Sequence, residues 1–214
     1  MGWSSSARRG LVIATALVAM FALGVSSTGA GAGAARSAAR RAPLVAKGNR
    51  VLLVGDSLLW QSIDPVRAAL QADGWEPTVT AAPATTVGSW TSRMKTLIAE
   101  NRPDVIVIEL GTNNCVNPCR HLDAVIARMM RDIPRTIPVY WLNVQTQPDY
   151  PTDPERVNTA LDTARSRWSN ITLVDMNARF RDHPEWHVPD GLHFSPAGSE
   201  QFATLIAQAL RASR

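Results

Sequence analysis

Val105-Ile106-Val107-Ile108-Glu109-Leu110-Gly111-Thr112-Asn113-Asn114 decides how the chain is read. Near-continuous β-branched residues over 105–110 suit a strand covered on both faces, the situation in the middle of a parallel sheet. A polar loop then leaves the strand. The same alternation of short apolar runs and helix-length amphipathic segments recurs on both sides. Toward the N-terminus lie a strand at Val51–Val54, a helical stretch over Leu58–Ala72, a weaker strand at Glu76–Ala81 and a helix over Ser89–Glu100. Toward the C-terminus follow a helix over Leu122–Arg131, a strand at Ile137–Asn143, a helix ending at Trp168, a strand at Ile171–Val174 and a last helix over Pro196–Leu210. Asp153 and Ser195, each followed by proline, read as N-caps. Five strands separated by helices call for right-handed crossovers. The expected fold is therefore α/β, a five-stranded parallel sheet with helices on both faces.

The chain has 214 residues, 45% hydrophobic and 19% charged, enough for one domain with a real core and too ordinary for a disordered or collagen-like chain. Its net charge of +4 is unevenly placed, because 7 of the 22 cations precede Val51 and none of the 18 acids does. The body from Val51 onward thus carries −3 and offers no basic footprint for DNA or RNA. Arg8 and Arg9, an apolar run over Leu11–Val25 and small residues at Ala30–Ala35 form the pattern of a secretory signal peptide over residues 1–35. The run is shorter than the ~20 residues that span a bilayer comfortably, and an uncleaved anchor is the alternative. Residues 36–50 hold five cations and no acid, and read as a flexible linker able to rest on an anionic wall or membrane surface. Residues 51–214 form the functional domain, expected outside the cytoplasm, secreted or surface-associated. In that oxidising setting the two cysteines, Cys115 and Cys119, are expected to pair as a disulfide, since one such pair supplies too few ligands for zinc.

In a parallel sheet, sites form beyond the carboxyl ends of the strands. The strand exits here carry Gly55-Asp56-Ser57, Gly88, Gly111-Thr112-Asn113-Asn114 and Asp190-Gly191-Leu192-His193. A serine hydroxyl needs an imidazole to take its proton and a carboxylate to hold that imidazole in the right tautomer. Ser57, His193 and Asp190 can supply these parts. The backbone amides of Ser57 and Gly88 and the side-chain amide of Asn113 are candidate donors to an oxyanion. Each signal is weak alone, since a serine after a strand is commonly only an N-cap and Gly-Thr-Asn commonly only a turn. Their joint order at successive strand exits is what carries weight.

These blocks resemble the SGNH hydrolases, the GDSL esterases and lipases, from Val51 to about Ala209. The resemblance implies a flavodoxin-like three-layer α/β/α sandwich, no metal or other cofactor, and hydrolysis of carboxylic esters. It also implies Ser57 as nucleophile, His193 as base, Asp190 as its orienter, and Ser57, Gly88 and Asn113 as the oxyanion hole. Two departures stand out: Leu58-Leu59-Trp60 follows the first block, and Asn114 stands where the third block usually ends in Asp. The second leads us to expect weaker hydrogen bonding in the oxyanion loop, with a Cys115–Cys119 clip restoring part of its rigidity.

The α/β-hydrolase elbow Gly-x-Ser-x-Gly is excluded, because Leu59 stands two residues after Ser57. His183, Glu185 and His187 raise a zinc reading, which Pro184 and Pro189 weaken by breaking any regular helix. Trp60, Trp90 and Trp186 fall near the site blocks, and one of them is expected to touch substrate, whereas Trp75, Trp141 and Trp168 read as structural. Asp56 is expected to support the turn before Ser57, and neither it nor Asp64 has the paired-carboxylate setting of a glycosidase. The sequence thus points to an exported serine esterase acting through an acyl-enzyme on a small-acyl ester of an envelope glycan or lipid. An acyltransferase passing the acyl group to a sugar hydroxyl, and a non-catalytic envelope-binding module, are the rival readings.

Overall fold

The computed structural model describes residues 44–115, 121–146 and 153–214. The expected signal peptide, the first part of the linker and Cys119 lie outside the described residues. The strands are β1 (Arg50–Gly55), β2 (Glu76–Ala81), β3 (Val105–Glu109), β4 (Val139–Leu142) and β5 (Ile171–Val174). They pair in the order β2-β1-β3-β4-β5, every neighbour parallel. This is the flavodoxin-like order, and its reversal of direction falls between β1 and β3, where a crevice opens beyond the strand ends.

The helices between the strands are α1 (Ser57–Gln61), α2 (Ile63–Ala72), α3 (Val87–Asn101), α4 (Leu122–Asp132), α5 (Pro154–Arg167), α6 (Met176–Phe180) and α7 (Pro196–Arg211). Alternation along the strands divides the core in two. Leu52, Val54, Ile106, Ile108 and Trp141 face one side with α3, α4 and α5, while Val51, Leu53, Val105, Val107 and Tyr140 face the other with α2 and α7. Both faces of β1, β3 and β4 are therefore covered, which explains why their sequences read as continuous apolar runs. A three-layer α/β/α sandwich results.

Three details differ from the sequence reading. The single helix expected over 58–72 is two, broken at Ser62, because Pro65 cannot donate to the carbonyl of Gln61 and so sits in the first turn of a new helix. Second, a 3-10 turn at Pro184–Trp186 occupies the segment where the prolines weakened a regular helix, and α6, which the sequence reading left unassigned, precedes it. Residues 46–50, expected in the flexible linker, belong to the folded unit instead. Ala46 N–H donates to Ser213 O (2.9 Å), and Arg50 begins β1 with its guanidinium on Asp104 (3.0 Å). The N-caps at Asp153 and Ser195 are as expected, their side chains accepting from Arg156 and Gly198 amides.

The start of α7 is pressed against the segment that leads into the Asp190–His193 loop. A Cβ added at Gly198 would overlap the carbonyl oxygen of Trp186, a backbone atom that also accepts from Ser195 N–H (2.8 Å). Gly198→Ala is expected to cost about 1–3 kcal/mol by overpacking. A fall in the midpoint of urea unfolding, with an unchanged slope, checks this.

Candidate active site

The polypeptide leaves β1 at Gly55 and turns at once into α1. Asp56 caps that helix, its Oδ1 accepting from Leu58 N–H at 3.1 Å. Ser57 is the first helical residue, so its hydroxyl is not the cap and is available for other work. Gly191 breaks the opposite loop with φ 70, and Asp190 folds back on its own chain, Oδ1 accepting from the amides of Leu192 and His193 at 2.9 Å each. That leaves Oδ2 for His193 Nδ1, at 2.7 Å. On the far side of the ring, His193 Nε2 lies 3.0 Å from Ser57 Oγ. Residues separated by 136 positions are thus joined in one hydrogen-bonded line from Asp190 through His193 to Ser57. Burial pushes the Asp190 carboxyl up, but the hydrogen bonds from the His193 ring and the two amides outweigh it and hold the group below its ordinary value. A carboxylate there keeps the Nδ1 proton in place and presents Nε2 as an acceptor.

Two helix N-termini converge on this line. In the first turn of α1, Leu58 N–H is held by Asp56, Leu59 N–H by Glu109 Oε2 (3.3 Å) and Trp60 N–H by Asp56 O (2.9 Å). Ser57 N–H alone in that turn has no acceptor among the described residues. In the first turn of α3, Val87 N–H donates to Asn114 Oδ1 (3.0 Å) and Ser89 N–H to Thr86 Oγ1 (3.3 Å), again leaving one amide, that of Gly88, without an acceptor among the described residues. Asn113 reaches in from the exit of β3, Nδ2 donating to Asp56 Oδ2 (3.0 Å) and Thr85 O (3.1 Å). The three groups expected to face an oxyanion therefore sit on the three segments that border the crevice between β1 and β3.

Asn114 corrects an expectation. Its amide oxygen caps α3 as a carboxylate oxygen would, so the loop keeps its hydrogen-bond support despite the change from Asp. Gly111 makes the turn possible, at φ 147 and with a would-be Cβ 2.6 Å from Val144 Cγ2. Cys115 follows in the left-handed region at φ 60, and its expected partner lies outside the described residues.

Trp90 drops out of the three tryptophans of which one was expected to touch substrate. It is 1% exposed, lies on the inner face of α3 with Val87 and Met94, and donates its indole N–H to Thr85 Oγ1 at 2.9 Å. It packs in the core and offers substrate no surface. Trp186 is half-buried, stacked on His183 (centroids 3.7 Å apart) and edge-on to Phe180. Trp60, one turn beyond Ser57 and 54% exposed, presents an open ring. Trp75, Trp141 and Trp168 are buried as expected. His183 bonds Glu185 (2.8 Å), and His187 approaches Gln145 Oε1 (2.7 Å) and His183 O (3.1 Å). Among the described residues no group of three or more potential ligands is placed to hold a metal ion.

Glu109 is the residue beside this site that sequence reasoning passed over. It ends β3 fully buried, and its Oε2 accepts from the amides of Asp56 (3.2 Å) and Leu59 (3.3 Å). Burial, and then the neighbouring Asp56, push its carboxyl well above the usual range, while burial pushes Asp56 up to about 6.

Family models place this architecture. That of the GDSL-like lipase/acylhydrolase family matches residues 26–201. The chain belongs to this family. Among curated relatives, the O-acetyltransferase OatA of Staphylococcus aureus is 29% identical over 105 residues, 49% of this chain but 16% of that protein. The chain thus matches only about a sixth of the length of such relatives. Among solved structures, the C-terminal catalytic domain of peptidoglycan O-acetyltransferase A of Streptococcus pneumoniae, with a methylsulfonyl adduct, superposes with a TM-score of 0.64. It is 21% identical, covering 78% of this chain and 94% of that one. A lipase/acylhydrolase from Enterococcus faecalis gives a TM-score of 0.62 at 20% identity, covering 77% and 96%. At these identities the GDSL-like chain shares their fold.

Proposed function

We propose that this domain is a serine acyl-transfer enzyme of the extracytoplasmic envelope, working through an acyl-enzyme on Ser57 with small-acyl esters, O-acetyl groups on glycans above all. One observation carries the reading: the 3.0 Å contact between His193 Nε2 and Ser57 Oγ, with Asp190 2.7 Å behind the ring. His193 takes the Ser57 proton as Oγ attacks the ester carbonyl. The oxyanion that forms is met by the amides of Ser57 and Gly88, which have no acceptor among the described residues, and by Asn113 Nδ2, which shares a hydrogen now given to Thr85 O. His193 then returns the proton to the leaving alcohol, and water or a second alcohol enters by the same route in reverse. Trp60, open beside Ser57, is positioned to stack on a sugar ring. The cationic leader argues for an envelope location, with residues 1–35 as its export signal and a Cys115–Cys119 disulfide closing the oxyanion loop.

Hydrolysis and transfer use the same machinery and differ in the acceptor. Relatives named as O-acetyltransferases favour transfer to a sugar hydroxyl as the second reading. An acyl-chain series of p-nitrophenyl esters tests both, run on the mature protein with and without a chitooligosaccharide acceptor. Acetate is expected to give the highest kcat/KM, and mass spectrometry to find acetate in solution, on the oligosaccharide, or both. Rates that climb with chain length would overturn the small-acyl assignment.

A further inference from the structure

Glu109 is 2% exposed and Asp56 is 0% exposed, and they are hydrogen-bond neighbours at the exits of adjacent strands. No lysine, arginine or histidine among the described residues bonds to Glu109. Two carboxylates so placed cannot both ionise, and one proton must stay between them. The acceptor count says where. Asp56 spends both oxygens as acceptors, Oδ1 on Leu58 N–H (3.1 Å) and Oδ2 on Asn113 Nδ2 (3.0 Å). Among the described residues Glu109 accepts only at Oε2, from the amides of Asp56 (3.2 Å) and Leu59 (3.3 Å), which leaves Oε1 to carry the proton. The fit around it is tight, since a Cβ at Gly55 would stand 3.0 Å from Glu109 Oε2.

We propose that Glu109 is a positioning residue of this site: a buried carboxylic acid that keeps its proton, donates it to the Asp56 carboxylate, and holds the Asp56 and Leu59 amides so that α1 presents Ser57 Oγ to His193. It rests on the reading of Ser57 as nucleophile. Its reach is wider than one helix, because the Asp56 carboxylate it stabilises is also the acceptor that orients Asn113. A single proton thereby links the nucleophile's helix to the side-chain donor of the oxyanion hole. Glu109 touches no substrate in this arrangement and acts through Asp56, α1 and Asn113.

Glutamine separates this from a merely structural carboxylate, because its amide reproduces a neutral acid: Oε1 accepts from the two amides and Nε2–H donates to Asp56. Four proteins are compared on p-nitrophenyl acetate and by labelling with a serine-directed fluorophosphonate: wild type, Glu109→Gln, Glu109→Leu and Asp56→Asn. Glu109→Gln is expected to keep kcat within ~3-fold of wild type. Glu109→Leu, which releases α1, is expected to lose ~10²-fold in kcat with KM little changed, the scale of an ångström-level misplacement. Asp56→Asn puts a donor where two acceptors are needed and is expected to lose at least ~10-fold in kcat. Should Glu109→Leu fail to fold, the Gln and Asn variants still decide. Glu109→Gln as impaired as Leu overturns the proposal, as does an active Asp56→Asn beside an inactive Glu109→Gln, which would put the proton on Asp56. A wild type that neither turns over nor labels would instead bring down the Ser57 reading itself.

Discussion

Ser57→Ala is expected to lower kcat on p-nitrophenyl acetate by at least ~10³-fold while leaving thermal unfolding nearly in place. Both halves of that result come from the local structure. The helix cap at this turn is Asp56, whose Oδ1 holds Leu58 N–H, so the serine hydroxyl has no part in closing α1. Among the described residues its one hydrogen-bonded contact is His193 Nε2 at 3.0 Å. Removing Oγ therefore deletes the proposed nucleophile and little else, and stability should change by no more than about 0.5 kcal/mol, as for a partly exposed side chain outside the core. The amides of Ser57 and Gly88 survive the change, so a residue of catalysis above the solution rate is also expected. Steady-state kinetics beside a melting curve make the measurement, and covalent labelling by the phosphonate must vanish in the variant. A Ser57→Ala protein that kept more than a tenth of wild-type turnover would remove Ser57 from the mechanism.

The fold and much of the site could be read from sequence because their signals are local. β3 declares itself by five consecutive residues that all prove buried, and the caps at Asp153 and Ser195 need only a side chain and a following proline. Asp190 and His193 were legible for the same reason, three residues apart on one turn. Ser57 was legible through its place after a strand, once the strands were ordered. What escaped depends on phase or on distant partners. Trp90 sits beside Gly88 in sequence, yet on a helix it belongs to the stripe Val87, Trp90, Thr91 and Met94 that faces the core. The helical period carried that information, and closeness along the chain concealed it. Asn114 looked like a lost carboxylate because its partner, Val87 N–H, comes from another segment. Glu109 was visible as the one acid in an apolar strand covered on both faces. Its meaning was not, since that lies in Asp56, 53 positions away.

Asp190→Asn is the other large effect, expected to lower kcat by about 10²–10⁴-fold with KM little changed. The upper figure is the loss seen when a buried triad carboxylate becomes an amide. An asparagine here can keep one oxygen on the Leu192 and His193 amides, which preserves the loop, but it then turns Nδ2–H toward the ring. A donor facing Nδ1 requires that nitrogen to be unprotonated, so the ring proton moves to Nε2. His193 would then donate to Ser57 Oγ where it must accept, and the base is lost with the backbone unchanged. The lower figure reflects exposure: the side chains of Asp190 and His193 are 49% and 37% exposed, so water can take over part of the orienting role. The same exposure predicts that Asp190→Ala, which admits water without imposing the wrong donor, is less damaged than Asp190→Asn. Comparing kcat and the phosphonate labelling rate for the two variants tests that order. The reverse order, Asp190→Asn active and Asp190→Ala impaired, would mean that the carboxylate acts chiefly by shaping the loop, through the amides of Leu192 and His193, and not by setting the tautomer of the ring.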